Sequence, residues 1–192
     1  MENHETYNRL RAILSNYKPI PNDSWDTIVS YLKLKEVACN EIYIDYGDQV
    51  SEYCYLVDGA AYGYEQNEGH SQVVRLWNTN SFILLGENFL VNSASNMRIV
   101  FSKASTIITL PTGAESGERV PACFAPYFNY LLSNELNYHK EAVRIFRQND
   151  TKKRVEWLIQ EFGDVTKELP DEKSAQVIGV SRKWYNFTKR GI

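Results

Sequence analysis

Between Lys35 and about Leu110 the chain is cut into short segments rich in Val, Ile, Tyr and Phe. Turn signals fall between them at roughly 8 to 15 residue intervals. The breaks read YGD, VDG, NEGH, NTN and NSASN. Such a stretch fits an antiparallel sandwich or barrel and excludes a regular alternation of strand and helix. Gly47, Gly59, Gly69 and Gly86 stand where strand pairs must turn or bulge, because glycine alone has no Cβ to clash at positive φ.

Helical patterns flank this region. Pro19 and Pro21 interrupt the segment from about residue 4 to residue 34. Asp23 or Ser24 is the expected N-cap of a helix with Trp25, Ile28, Val29 and Leu32 at helical spacing. The stretch PTGAESGERVPAC reads as a loop. From Phe124 to Gln148 there is no glycine and no proline after Pro126. Phe124, Leu131, Tyr138 and Ile145 recur seven apart, with Phe128 and Ala142 beside them and Glu135 interrupting the second seam. This predicts a long helix whose apolar seam faces either a second copy of the chain or its own β region. Next, Val155, Leu158, Ile159 and Phe162 form the apolar face of another helix, with Gly163 its expected stop. The expected organisation is α+β: an antiparallel, jelly-roll-like β-roll with flanking helices over 1–122, a long helix over 123–149, and a small helical unit over 150–192.

The 192 residues are 43% hydrophobic and 23% charged, ordinary for a folded globular protein. The N-terminus MENHETYNRLRAIL lacks the basic start and apolar run of a secretory signal, and no apolar run reaches 18 residues. A cytoplasmic protein without membrane contact is expected. Cys39, Cys54 and Cys123 are widely spaced, which predicts three reduced thiols.

Enzyme chemistry finds little support. His4, His70 and His139 are the only histidines, and no two have metal-ligand spacing. G-x-S-x-G, the P-loop and G-x-G-x-x-G are all absent from the sequence. No catalytic residue, metal or cofactor is therefore assigned.

The C-terminal segment AQVIGVSRKWYNFTKRGI holds the strongest signal. From Asp171 onward five basic residues, Lys173, Arg182, Lys183, Lys189 and Arg190, face two acidic ones, a local +3 on a chain of net charge −3. Ala175 is small where two helices must approach, Gly179 can take positive φ, and Ser181 is an N-cap. Ile178, Val180 and Tyr185 can fill the space between the helices. This is a helix-turn-helix pattern with the start of its second helix turned outward. Arg182 and Lys183 are then the expected base readers. Ser181, Lys189 and Arg190 lie nearer phosphates, Trp184 contacts sugar or buttresses the helix, and Asn186 shares the same helix.

The order of glycine-punctuated β region, long helix and terminal IGVSRK resembles the Crp/Fnr family of bacterial transcription regulators over nearly the whole chain. YLVDGAAYGY is similar to strands near the centre of that family's β-roll. SFILLGENFL is similar to the opening of its phosphate-binding cassette. The resemblance implies an eight-stranded β-roll that senses a small effector, a dimerising helix, and a helix-turn-helix that reads palindromic double-stranded DNA as a homodimer.

It also implies an effector set of Gly86, Glu87 and Arg98. The cassette's ending departs from the pattern. NMRIVF puts Met97 where the family has arginine and Arg98 one residue later, on the opposite face of a strand, which argues against a cyclic nucleotide as effector. Lys183 replaces the family's usual acidic residue, and Phe187 stands where a second arginine is frequent, so a different operator is expected. Few residues follow the last helix, so the family's β-wing is expected to be short or absent. The alternative is a ligand-binding or protein-interaction module that has lost DNA binding.

Overall fold

A computed structural model of the chain describes residues 2–67, 69–85, 93–111 and 121–192. Two helices, α1 (Glu2–Ser15) and α2 (Asn22–Val29), precede eight strands: β1 (Lys33–Val37), β2 (Ile42–Ile44), β3 (Glu52–Asp58), β4 (Ala61–Asn67), β5 (His70–Trp77), β6 (Ser81–Ile83), β7 (Met97–Phe101) and β8 (Ser105–Pro111). Helices α3 (Ala125–Arg147), α4 (Thr151–Glu168), α5 (Asp171–Val177) and α6 (Arg182–Lys189) follow.

The strands form two antiparallel sheets, ordered β1-β8-β3-β6 and β2-β7-β4-β5. First pairs with last, second with seventh, third with sixth and fourth with fifth, the nested pairing of a jelly roll. Gly47, Gly59 and Gly69 all have positive φ. At Gly59, between β3 and β4, a Cβ would run into Ser105 as well. Gly86, with the PTGAESGERV part of the expected loop from residue 112 on, lies outside the described residues.

Strand alternation divides the apolar residues among three cores. Cys54, Leu56, Ile99, Phe101 and Ile107 point between the sheets. Tyr53, Tyr55, Val57 and Ile108 point the other way, from the first sheet onto α1, α2 and the start of α3. Tyr62, Val73, Leu76 and Val100, on the outer face of the second sheet, pack with Ala142, Ile145, Val155, Leu158, Ala175, Ile178 and Tyr185. Both sheets are thus covered on both faces, and the C-terminal helices share a core with the β-roll rather than standing apart from it.

Several local expectations are corrected. Helix α2 begins at Asn22 after Pro21, which fixes the entry backbone, so neither Asp23 nor Ser24 caps it. Helix α4 runs through Gly163 to Glu168. Phe162 departs from helical geometry (φ −131°, ψ 30°), so the irregularity kinks the helix instead of ending it. Its start is capped by Asp150, whose carboxylate accepts hydrogen bonds from the Lys152 and Lys153 amides at 2.9 and 3.3 Å.

The seam of α3 faces inward. Phe124 and Leu131 are buried against the first sheet, and Ala142 and Ile145 against the second sheet and α4, with Tyr138 packed beside them. At 23 residues the helix is about 35 Å long. It therefore touches the outer layers of both sheets. The three cysteines are free: Cys39 is exposed and Cys54 buried in the sandwich, where desolvation pushes its thiol pKa well up.

Candidate nucleic-acid interface and effector cavity

Helices α5 and α6 meet through a short, tightly bonded turn. Gly179 takes φ +63°, and its amide donates to the Gln176 carbonyl (3.0 Å) while the Val180 amide donates to the Ala175 carbonyl (3.1 Å). Ser181 then caps α6, its hydroxyl accepting from the Trp184 amide at 3.3 Å. Ala175, Ile178 and Tyr185 are buried where the two helices cross, so one side of α6 is committed to packing.

The other side is open. Ser181, Arg182, Lys183, Trp184 and Arg190 are exposed, and Asn186 is half-buried. Lys189 differs: its ammonium is held 3.0 Å from the Asp171 carboxylate, tying the end of α6 to the start of α5. Trp184 does not buttress the helix core. It is 59% exposed and meets Phe187, itself 71% exposed, edge to face with ring centroids 5.9 Å apart.

Polar contacts add to the shared core in fastening this unit to the rest. Gln176 reads the edge of the second sheet like one more strand: its side-chain oxygen accepts from the Val73 amide (3.0 Å), and its backbone carbonyl accepts from the Gln72 side chain (3.1 Å). Arg154 on α4 donates to the Phe146 carbonyl at the end of α3 (2.7 Å) and to the Ile178 carbonyl in the turn (3.3 Å). One guanidinium thus joins the long helix to the turn. Lys173 lies over the Tyr62 ring at 3.8 Å.

Of the expected effector residues, Gly86 and Glu87 lie outside the described residues. Arg98 points away from the sandwich core, on the face opposite Met97. It forms a two-point ion pair with Asp45 (2.7 and 3.0 Å), which holds the Asp45 carboxyl below its ordinary pKa. Arg98 is therefore occupied by a neighbouring strand end.

A different arginine occupies the interior. Arg75, inside the apolar run VVRLW of β5, donates to Glu135 of α3 at 2.9 Å, with side chains 10% and 18% exposed. Its guanidinium lies against the Tyr138 ring, and its Nε and Nη1 atoms are buried without a hydrogen-bond partner. Burial pulls the arginine pKa down and pushes the Tyr138 hydroxyl up to about 12. The pair borders a cavity of about 230 Å³ between the β-roll, α3 and α4, with Trp77, Glu161, Leu131 and Phe162 in its walls. Sequence reading missed this site, yet its two members are visible as interruptions: one charge inside a buried strand, one inside an apolar helical seam.

Two four-stranded sheets in jelly-roll pairing, with six α-helices among the described residues, form the fold of catabolite-activator-type regulators and cyclic-nucleotide-binding domains. Among solved structures, the chain is similar to a Crp/Fnr-family transcriptional regulator from Eubacterium rectale (16% identity, 92% of this chain and 87% of the other, TM-score 0.64). It is also similar to FixK2 from Bradyrhizobium japonicum (9% identity, 83% of each chain, TM-score 0.67). The regulatory subunit of a cAMP-independent protein kinase A from Trypanosoma brucei matches less of it (15% identity, 72% of this chain and 51% of the other, TM-score 0.58). At these identities the likeness is one of fold. No protein-family model and no curated protein matches the sequence.

Proposed function

We propose that this chain is a DNA-binding transcription regulator of the Crp/Fnr type, a homodimer whose β-roll senses a small effector. The observation that carries the reading is the division of α6. Tyr185 faces inward while Arg182, Lys183 and Arg190 face solvent beside the Ser181 cap, on a fold shared with regulators. A capped helix N-terminus with outward arginine and lysine suits a major groove and its phosphates. Lys189 contributes mainly by fixing α6 on α5, and Asn186 lines the edge of the reading face.

With Arg182 on a base pair, each protomer leaves the exposed Lys183 and Arg190 of α6 for phosphates, so a dimer would neutralise about four, and log affinity should fall against log salt with a slope near −3.5. Anisotropy titrations of a labelled duplex at several salt concentrations measure this. The exposed Trp184 and Phe187 favour a second reading, in which α6 docks on protein. Absence of salt-dependent DNA binding would select it.

The long helix still offers a dimer surface, although not the seam expected from the sequence. Leu132, Leu136, His139, Val143 and Phe146 follow alternating steps of four and three residues, and Leu136 and Val143 are 54% and 47% exposed. A second copy of α3 would cover them. Leu136→Glu with Val143→Glu should give a folded monomer by sedimentation where the parent protein is a dimer; a dimer unaffected by both changes would move the interface elsewhere.

The effector set of Gly86, Glu87 and Arg98 belongs to this proposal as the family-derived one. The cavity beside Arg75 is the better supported seat, because Arg75 has unpartnered N–H groups and Arg98 does not stand free. An effector there would touch β5, α3 and α4 at once. By binding one of their arrangements better than another it would shift the population of DNA-competent dimers.

A further inference from the structure

Phe187 and Trp184 are the two most exposed large apolar side chains among the described residues, and they stand together on one helix. Their edge-to-face contact holds each ring against the other, so the pair is a formed patch rather than two loose groups. Cations flank one side of the patch: Lys183, four residues before Phe187, and Arg190, three after it, share its face of the helix, and all three are exposed. A matching surface must be anionic at its rim and apolar within. The DNA major groove answers this description, with phosphates along its edges and the thymine 5-methyl as the apolar group on its floor. A helix with its side chains is about 10–12 Å across, and the groove is about 12 Å wide.

We propose that Phe187 reads a thymine methyl group in each half-site, with Trp184 holding its ring in position, next to the base pair read by Arg182. This inference rests on the DNA-binding reading above. It assigns part of the sequence preference to an apolar contact, which explains why an aromatic ring can stand in a base-reading position without a hydrogen-bonding group.

The test uses a duplex selected by the full-length protein from random DNA, with each thymine replaced in turn by deoxyuridine, which removes only the methyl. One or two positions per half-site should lose about fourfold in affinity with the parent protein. Phe187→Ser should bind thymine and deoxyuridine duplexes equally while keeping its salt dependence and its Arg182-dependent preference. Equal binding of all deoxyuridine duplexes by the parent protein, or a methyl effect that survives Phe187→Ser, would overturn the inference. So would binding to phosphatidylserine vesicles that is lost in Phe187→Ser with no deoxyuridine effect, which would assign the patch to lipid. Failure to select any duplex would instead remove the DNA-binding reading itself.

Discussion

Replacing Glu135 with alanine is expected to lower stability by about 3 to 5 kcal/mol, roughly 10 °C in melting temperature for a chain of this size. The carboxylate is the hydrogen-bonded partner of a guanidinium that is 10% exposed. Without it, Arg75 keeps the Tyr138 and Trp77 rings and a more distant electrostatic contribution from Glu161, none of which accepts a hydrogen bond from it. A charge removed from water and left unpaired is among the costliest defects a fold can carry. The double change Arg75→Met with Glu135→Leu removes both charges and should return to within about 1 kcal/mol of the parent, because two apolar groups of similar volume need no partner. Urea unfolding of the two variants measures the difference. A loss under 1 kcal/mol in Glu135→Ala would mean that water reaches Arg75, and the pair would then be no rigid link between β5 and α3.

The second large effect falls on α6. Arg182→Ala should cost about 1 to 3 kcal/mol on the selected duplex and flatten the preference at one base pair per half-site. Lys183→Ala adds a loss that is smaller at high salt if its contact is to phosphate. Neither change should move the unfolding midpoint, since both side chains are exposed and neither forms an ion pair among the described residues. That separation matters: a variant that loses DNA binding and stability together says little about recognition. Binding of Arg182→Ala that equals the parent on the selected duplex and on its single-base variants would remove Arg182 from the reading face.

How much of this was legible beforehand depends on which interactions are local. The turns were legible because Gly47, Gly59, Gly69 and Gly179 each mark a backbone conformation that other residues adopt only with strain. So was the terminal helix pair, where Ala175, Gly179 and Ser181 act within seven residues of one another. The direction of the α3 seam was not. Heptad spacing says which residues share a face, and Phe124, Leu131 and Ile145 do share one, but nothing local says whether a second copy or the chain's own sheet covers it.

The charged pair was hidden for the same reason, since Arg75 and Glu135 are 60 residues apart in the chain and become partners only when α3 lies across β5. Arg154 carries no local signal of its role, because the two carbonyls that it bonds come from different elements. Gly163 misled because a glycine is only permissive of a helix end, and the packing of Val165 and Thr166 carries α4 past it.

The central claim is that α6 reads DNA from a two-fold-symmetric dimer on this fold. Selection of bound sequences from random double-stranded DNA by the full-length protein tests it most directly. The account predicts enrichment of an inverted repeat with half-site centres about one helical turn apart, lost when Arg182 and Lys183 are both changed to alanine. Recovery of no enriched sequence, or of one that the double variant enriches equally well, would contradict it.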